Sequence, residues 1–290
     1  MTADDLTRYV NGCSDFAFEM EIYKLLQDLP FKCEHGGTYT DPVTQKAREF
    51  DIRAATRDNL SWTYLAIECK NLKANSPLVV SCIPRRGFES YHEVIVTFPP
   101  AIWPQGDAVS VVNEVTSVTI RLRNREYPYP VRGVVGKSCA QVGKDKDDQF
   151  QVTGTEIYDK WSQALASARE LAEQAAELHA NQPTVRYAVV IPIVVVPDGT
   201  LWAAEYSETG VLVKAPVPTD RVSYFINHSI ALGLDFGWTT YDISHIEFVT
   251  KTGLIQFASN LTSECGREWY QPEDIIDDEL TRLIKKAAIE

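Results

Sequence analysis

Residues 187–196 read YAVVIPIVVV, ten positions without a charge and with a single proline. A bilayer span needs about 20 apolar residues, so this run is too short to cross one. A short apolar run rich in β-branched residues is instead a strand buried on both faces. Such strands belong to sheets covered by helices on either side. Pro192 cannot donate a ladder hydrogen bond, and it predicts a bulge or a sheet edge at that point. The flanking text supplies the helices. Residues 15–29 place Phe18, Ile22, Leu25, Leu26 and Leu29 on one face, with Ser14 as the expected N-cap and Pro30 beyond the end. Residues 155–180 form a longer helix with Ile157, Trp161, Ala164, Ala168, Leu171 and Ala175 facing inward.

The expected fold class is therefore α/β (α+β), a mixed central β-sheet flanked by helices. With 290 residues and 44% hydrophobic composition the chain can bury a full core. We expect one domain over 1–290, with its core at 13–71 and 136–262. Residues 72–135 are rich in proline and strand-like pieces and read as a β-rich insertion. Residues 135–152 read as a polar loop, 243–261 as two strands around Thr252-Gly253, and 263–290 as a C-terminal helical tail. The N-terminus lacks the pattern of a signal peptide and the six cysteines are scattered without a CxxC pair, so the expected compartment is the cytoplasm, with no membrane partner.

The stretch REFDIRAATRDNLSWTYLAIECK at 48–70 holds the chemistry. Strands at 48–57 and 62–70 around the turn DNLS pair Asp51 with Glu68. Side chains alternate between faces. Asp51, Glu68 and Lys70 then share one face, while Phe50, Ile52, Ile67 and Cys69 share the other. Two adjacent carboxylates repel, and a divalent cation relieves that cost. Hard oxygen donors with open positions suit Mg2+ or Mn2+, and the Cys69 backbone carbonyl could add a further oxygen. A lysine beside such a centre can orient water or stabilise charge on a phosphate.

The runs FEMEIYKLL, GGTYTDPVTQKAREFDI and AIECK together resemble the PD-(D/E)XK nuclease superfamily, the restriction-endonuclease-like fold. That family places a glutamate on its first helix, an aspartate on its second strand and (Asp/Glu)-x-Lys on its third. The resemblance implies Asp51 and Glu68 as metal ligands, Lys70 as the catalytic lysine, and Glu19 as the helix carboxylate, with Glu21 as the alternative. Phe50 stands where the family's proline would precede the aspartate. The implied activity is metal-dependent hydrolysis of nucleic acid, DNA ahead of RNA, in defence or DNA processing. A non-catalytic scaffold on the same fold is the alternative.

Net charge narrows the substrate contacts. The chain carries −12, yet residues 71–146 hold 10 Lys and Arg against 6 Asp and Glu. Lys137, Lys144 and the same-face row Arg121, Arg123 and Arg125 are candidate backbone contacts there. On the long helix Glu156, Lys160, Gln163 and Ser167 form a polar stripe, in which Gln163 or Lys160 could touch phosphate or a metal-bound water. The strongly acidic remainder could meet a protein partner, and a homodimer is a further expectation.

Overall fold

The computed structural model describes residues 1–263 except 13, 42–43, 59, 98–101, 106–107, 112–116, 125–126, 179–184 and 235–236. In chain order the elements are α1 (Ala3–Gly12), α2 (Phe16–Gln27), β1 (Lys32–His35), β2 (Thr38–Thr40), β3 (Ala47–Glu49), β4 (Ile52–Asp58), β5 (Ser61–Cys69) and β6 (Leu78–Pro84). They continue with β7 (Tyr91–Thr97), β8 (Ile102–Gln105), β9 (Ala108–Val111), β10 (Ser117–Arg123), β11 (Val134–Lys144), β12 (Phe150–Thr153) and α3 (Thr155–Leu178). Last come β13 (Arg186–Val196), β14 (Leu201–Tyr206), β15 (Leu212–Pro218), β16 (Arg221–Leu234), β17 (Gly237–Thr250) and α4 (Lys251–Leu261).

Among the described residues, thirteen strands form one mixed sheet, ordered β1-β4-β5-β13-β17-β16-β11-β6-β14-β15 with β7, β10 and β12 off that path. The antiparallel β4–β5 hairpin runs in the expected register, Ile52 opposite Ile67 and Asp58 opposite Ser61. Its turn is shorter than DNLS, because Asp58 and Ser61 already pair. Strand β5 then lies parallel to β13 from Ser61 to Cys69.

Helices cover both faces, as the charge-free run required. On one side Phe18, Ile22 and Leu26 of α2 join Leu254, Phe257 and Leu261 of α4 over Ile52, Leu65, Ile67, Ile191 and Ile193. On the other, Ala168, Leu171, Ala172 and Ala175 of α3 pack on Tyr64, Ala66, Ala188 and Val190. Ile22 and Leu26 are fully enclosed, and burying each contributes about 1.5–3 kcal/mol. The alanines of α3 let the helix approach the sheet closely, which brings its polar stripe within reach of the strands.

Four expectations change. Pro192 marks neither a bulge nor an edge. One flank of β13 pairs with β7 up to Ala188 and with β17 from Ile193 onward. Pro192 sits in the gap between these neighbours, where no strand needs its missing N–H. In the same gap the Tyr241 hydroxyl serves Val190, accepting from its N–H at 3.1 Å and donating to its carbonyl at 3.3 Å. Residues 135–152 are largely strand: β11 and β12 pair from Gln141 opposite Thr153 to Lys144 opposite Phe150. Their half-exposed, polar side chains hide the strand from a hydrophobic pattern.

Residues 251–261 are helical. Thr250 caps α4 by accepting from the Gly253 N–H at 3.0 Å. A Cβ at Gly253 would lie 1.9 Å from the Asp220 carbonyl oxygen, so no larger residue fits that turn. Finally, Asp15 and not Ser14 occupies the N-cap of α2, and it spends its side chain elsewhere. The β-rich stretch 72–135 is part of the main sheet, through β6, β7 and β10. The tail expected at 263–290 lies outside the described residues from 264 onward, and no described helix is long and apolar enough to cross a membrane.

Candidate active site

The hairpin delivers its carboxylates from the strand ends. Asp51 stands at the bend just before β4, and Lys70 just past β5. The Cys69 N–H donates to Asp51 Oδ2 at 2.7 Å, which fixes that carboxylate against the end of β5. In extended backbone the carbonyl leaves on the same side as the N–H, so the Cys69 carbonyl also faces the Asp51 side. The Asp51 N–H lies 3.5 Å from Glu68 Oε1.

Between the two carboxylates sits an ammonium. Lys160, from the second turn of α3, places Nζ 2.6 Å from Asp51 Oδ2 and 3.2 Å from Glu68 Oε2. Glu68 has no exposed surface and Asp51 only 13%. Burial pushes the Glu68 carboxyl up to about 8, the Asp51 charge adds to that, and Lys160 only partly opposes it. Burial works against the charged form of Lys160, but Glu68 and Asp51 together outweigh it and hold the ammonium protonated. One ammonium thus serves two carboxylates, and burial beside Asp51 makes Glu68 hold its proton more tightly than an ordinary glutamate.

Lys70 makes ion pairs of its own, with acids of α2's N-terminus and of α3. Its Nζ lies 3.3 Å from Asp15 Oδ2 and 3.0 Å from Glu156 Oε2. Asp15 also accepts from the Asn71 N–H at 2.8 Å, which locks the end of β5 to the start of α2. The two helix acids part ways. Glu21 is taken by Lys251 at 2.7 Å on the far side. Glu19 faces the cluster, and burial followed by the Asp51 charge raises its pKa. His35 Nε2 lies 3.5 Å from Glu19 Oε2 without hydrogen-bond geometry. The His35 ring packs against Phe16 and Tyr23.

The stripe on α3 faces the sheet. Beyond Lys160, the buried Ser167 hydroxyl accepts from Arg53 Nε at 3.0 Å, and Glu170 pairs with Arg53 Nη2 at 2.8 Å. Gln163 is half-buried, and its backbone carbonyl accepts from the Tyr39 hydroxyl at 3.5 Å. The structure thus joins Asp51, Glu68 and Lys160 in one cluster with Glu19 within electrostatic reach, whereas Lys70 pairs with Asp15 and Glu156.

The other candidate contacts lie elsewhere. Arg121 bonds Glu93 at 2.8 Å and also meets Asp242. Arg123 is exposed, 6.0 Å from the Tyr91 ring centre, and Arg125 lies outside the described residues. Lys137 meets the buried Glu89 at 2.5 Å, and Lys144 meets Asp148 at 2.7 Å on the surface. None of these four described side chains forms an ion pair with Asp51 or Glu68.

Sequence reasoning missed Asp15, His35 and Arg53. Asp15 had a local signal, an acid at the start of a helix. Arg53 shares a face with Asp51 by strand alternation, but its partners stand 114 and 117 residues away. Among the described residues no group of three His, Cys, Asp or Glu side chains is arranged to hold a metal ion. The oxygen donors that converge are the Asp51 and Glu68 carboxylates, with the Cys69 carbonyl alongside. Comparisons with protein-family models, curated proteins and solved structures find no match.

Proposed function

We propose that this chain is a metal-dependent nuclease of the PD-(D/E)XK type, acting on nucleic acid and on DNA ahead of RNA. One observation carries the reading. Two carboxylates meet at the end of a buried hairpin, one of them with its pKa pushed up to about 8, around a position already held by a cation. The element order adds support. A helix bearing Glu19 precedes β1, Asp51 heads the second strand of the β1-β4-β5 meander, and Glu68-Cys69-Lys70 ends the third. That is the placement the resemblance implies.

The donor set suits a hard divalent cation such as Mg2+ or Mn2+. Asp51, Glu68 and the Cys69 carbonyl would hold it, and Lys160 is the competing cation that must yield the position. Such an ion supplies charge neutralisation at a phosphate and a more acidic bound water. The chain supplies the rest. Glu68 must lose its proton to serve as a ligand, and its burial makes that loss pH-dependent near neutrality. Lys70, held by Asp15 and Glu156, presents an ammonium that can donate to a phosphate oxygen or orient an attacking water. Glu19 adds negative charge that favours a cation at Asp51. Lys160, if such an ion displaced it, would leave an ammonium on α3 beside the site that could meet the substrate backbone.

A second reading has its own observation. Lys160 already neutralises the carboxylates in place, so the cluster could be a finished ion pair on a non-catalytic scaffold. The decisive experiment incubates the protein with supercoiled plasmid and labelled single- and double-stranded oligonucleotides in Mg2+, Mn2+ or EDTA, beside Glu68→Gln. Cleavage that needs metal and disappears in the variant supports the nuclease. Absence of cleavage together with absence of metal binding by calorimetry leaves the scaffold.

A further inference from the structure

Helix α3 does not cover the sheet to its edge. Between its turn at Leu171–Gln174 and strands β1, β4 and β5 lies an open groove of about 420 Å³. Lys32, Arg53, Arg57 and Arg186 line it, against Glu34 as the acid. Arg53 is committed to Glu170 and Ser167. Arg186 is not so committed. Its Nη1 is shut off from solvent with no hydrogen-bond partner, and no described residue forms an ion pair with it. A guanidinium without a paired acid is a ready donor to an anionic oxygen; the enclosed Nη1 is out of a ligand's reach, and the rest of the half-buried Arg186 side chain lines the groove.

One wall is aromatic. The Trp62 and Tyr64 rings lie parallel, 9° apart in tilt and 6.1 Å between centres. The Arg57 guanidinium lies 5.3 Å from the Trp62 ring centre. A flat π surface beside several cations matches a base with its phosphate. We infer that this groove binds one nucleotide unit of a single strand, the base against Trp62, which the Tyr64 ring backs, and the phosphate on Arg186, Arg57 and Lys32. Glu34 in the lining disfavours the concentrated charge of a free nucleoside triphosphate. A single phosphodiester charge suits the groove better.

The groove also shares a face with the carboxylate pair. Arg53 is next but one to Asp51, and Trp62 lies six residues along β5 from Glu68, about 20 Å. Helix α3 covers the sheet between the two places, so a strand that reached both would run along the flank of the helix, over about six stacked nucleotides. The further statement that the groove anchors the strand to be cut rests on the nuclease reading; the binding itself does not.

The test is titration of the whole chain in EDTA, so that no cleavage occurs, followed by tryptophan fluorescence and calorimetry. The probes are single-stranded oligonucleotides of about four and about twelve nucleotides, with adenosine monophosphate and ATP as the free-nucleotide arm. The longer oligonucleotide should bind best. Arg186→Ala and Trp62→Leu should each weaken it about tenfold, Trp62→Phe should keep most of the affinity, and Arg186→Ala should reduce the salt slope by about 1. Thermal unfolding checks each variant. Lys32→Glu, on an exposed edge position, gives the same reading should either half-buried variant fail to fold. Wild-type binding by all folded variants overturns the proposal, as does ATP binding more tightly than the longer oligonucleotide. Binding in EDTA without cleavage in Mg2+ or Mn2+ overturns only the nuclease; cleavage without groove-dependent binding overturns only the groove.

Discussion

Glu68 and Glu247 are both wholly enclosed, and they are wired in opposite ways. Glu247, on β17, receives Arg221 through two nitrogens at 2.8 and 3.1 Å, and the Ser223 hydroxyl lies 3.0 Å from each of its oxygens. Burial works against the charge of Arg221, yet Glu247 outweighs it and holds the guanidinium firmly protonated. Every charge there has a matching partner. Glu68 instead shares one lysine with a second carboxylate and is pushed up to about 8. Equal burial therefore produces a finished ion pair in one region and an under-neutralised one in the other. Strained ionisation of the second kind is what gathers at functional sites, although structural networks can also show it.

The largest expected effect is on chemistry. Asp51→Asn or Glu68→Gln should lower metal-dependent cleavage by at least about 10²–10³-fold, the usual cost of removing one preorganised electrostatic group. Plasmid nicking rates measure it. Equal rates in wild type and Glu68→Gln would place Glu68 beside Glu247 as a structural group.

Stability should separate the two glutamates in the reverse sense. Glu247→Gln leaves Arg221 buried against a neutral partner and should cost about 3–5 kcal/mol. Urea denaturation of Glu68→Gln at pH 8 should show no such loss, because the change removes a carboxylate that repels Asp51. A similar loss in both variants would erase the distinction.

The pH dependence sharpens it further. The folded-state pKa of Glu68, about 8, lies above its ordinary value of 4.5. The folded chain then binds the extra proton between those values, so this group's contribution makes stability fall as pH rises from about 4.5 to about 8, by at most on the order of 5 kcal/mol. Glu68→Gln should flatten that slope. Mn2+ binding should strengthen over the same window and release a proton, which calorimetry in buffers of different ionisation enthalpy detects.

The smallest effect concerns Lys160. Lys160→Met removes the competing cation and should raise Mn2+ affinity about tenfold, a gain of about 1.4 kcal/mol. Weaker binding in this variant would show that Lys160 belongs to the site as firmly as Arg221 belongs to Glu247.

Part of this was legible beforehand. The register that sets Asp51 against Glu68 follows from the two-residue period of the strands, and α2, α3 and β13 announce themselves by apolar pattern. The choice between Glu19 and Glu21 did not follow, because Lys251, which claims Glu21, lies 230 residues away. β11 escaped because its side chains are only partly buried. α4 escaped because its signal, Thr250 capping the Gly253 N–H, looks like a turn between strands until Asp220 is seen pressed against Gly253.

The sequence by itself determined the local frame: which segments are strands or helices wherever burial imprints a period, and which face of the hairpin carries charge. Backbone geometry dictates those periods, so neighbours in the chain suffice to read them. Tertiary structure decided who meets whom. Lys160 reaches Asp51 across 109 residues, Lys70 turns to Asp15 across 55, and Pro192 finds a gap between two strands. Those pairings depend on how closely the alanine face of α3 settles on the sheet, a matter of packing between segments that no local pattern records.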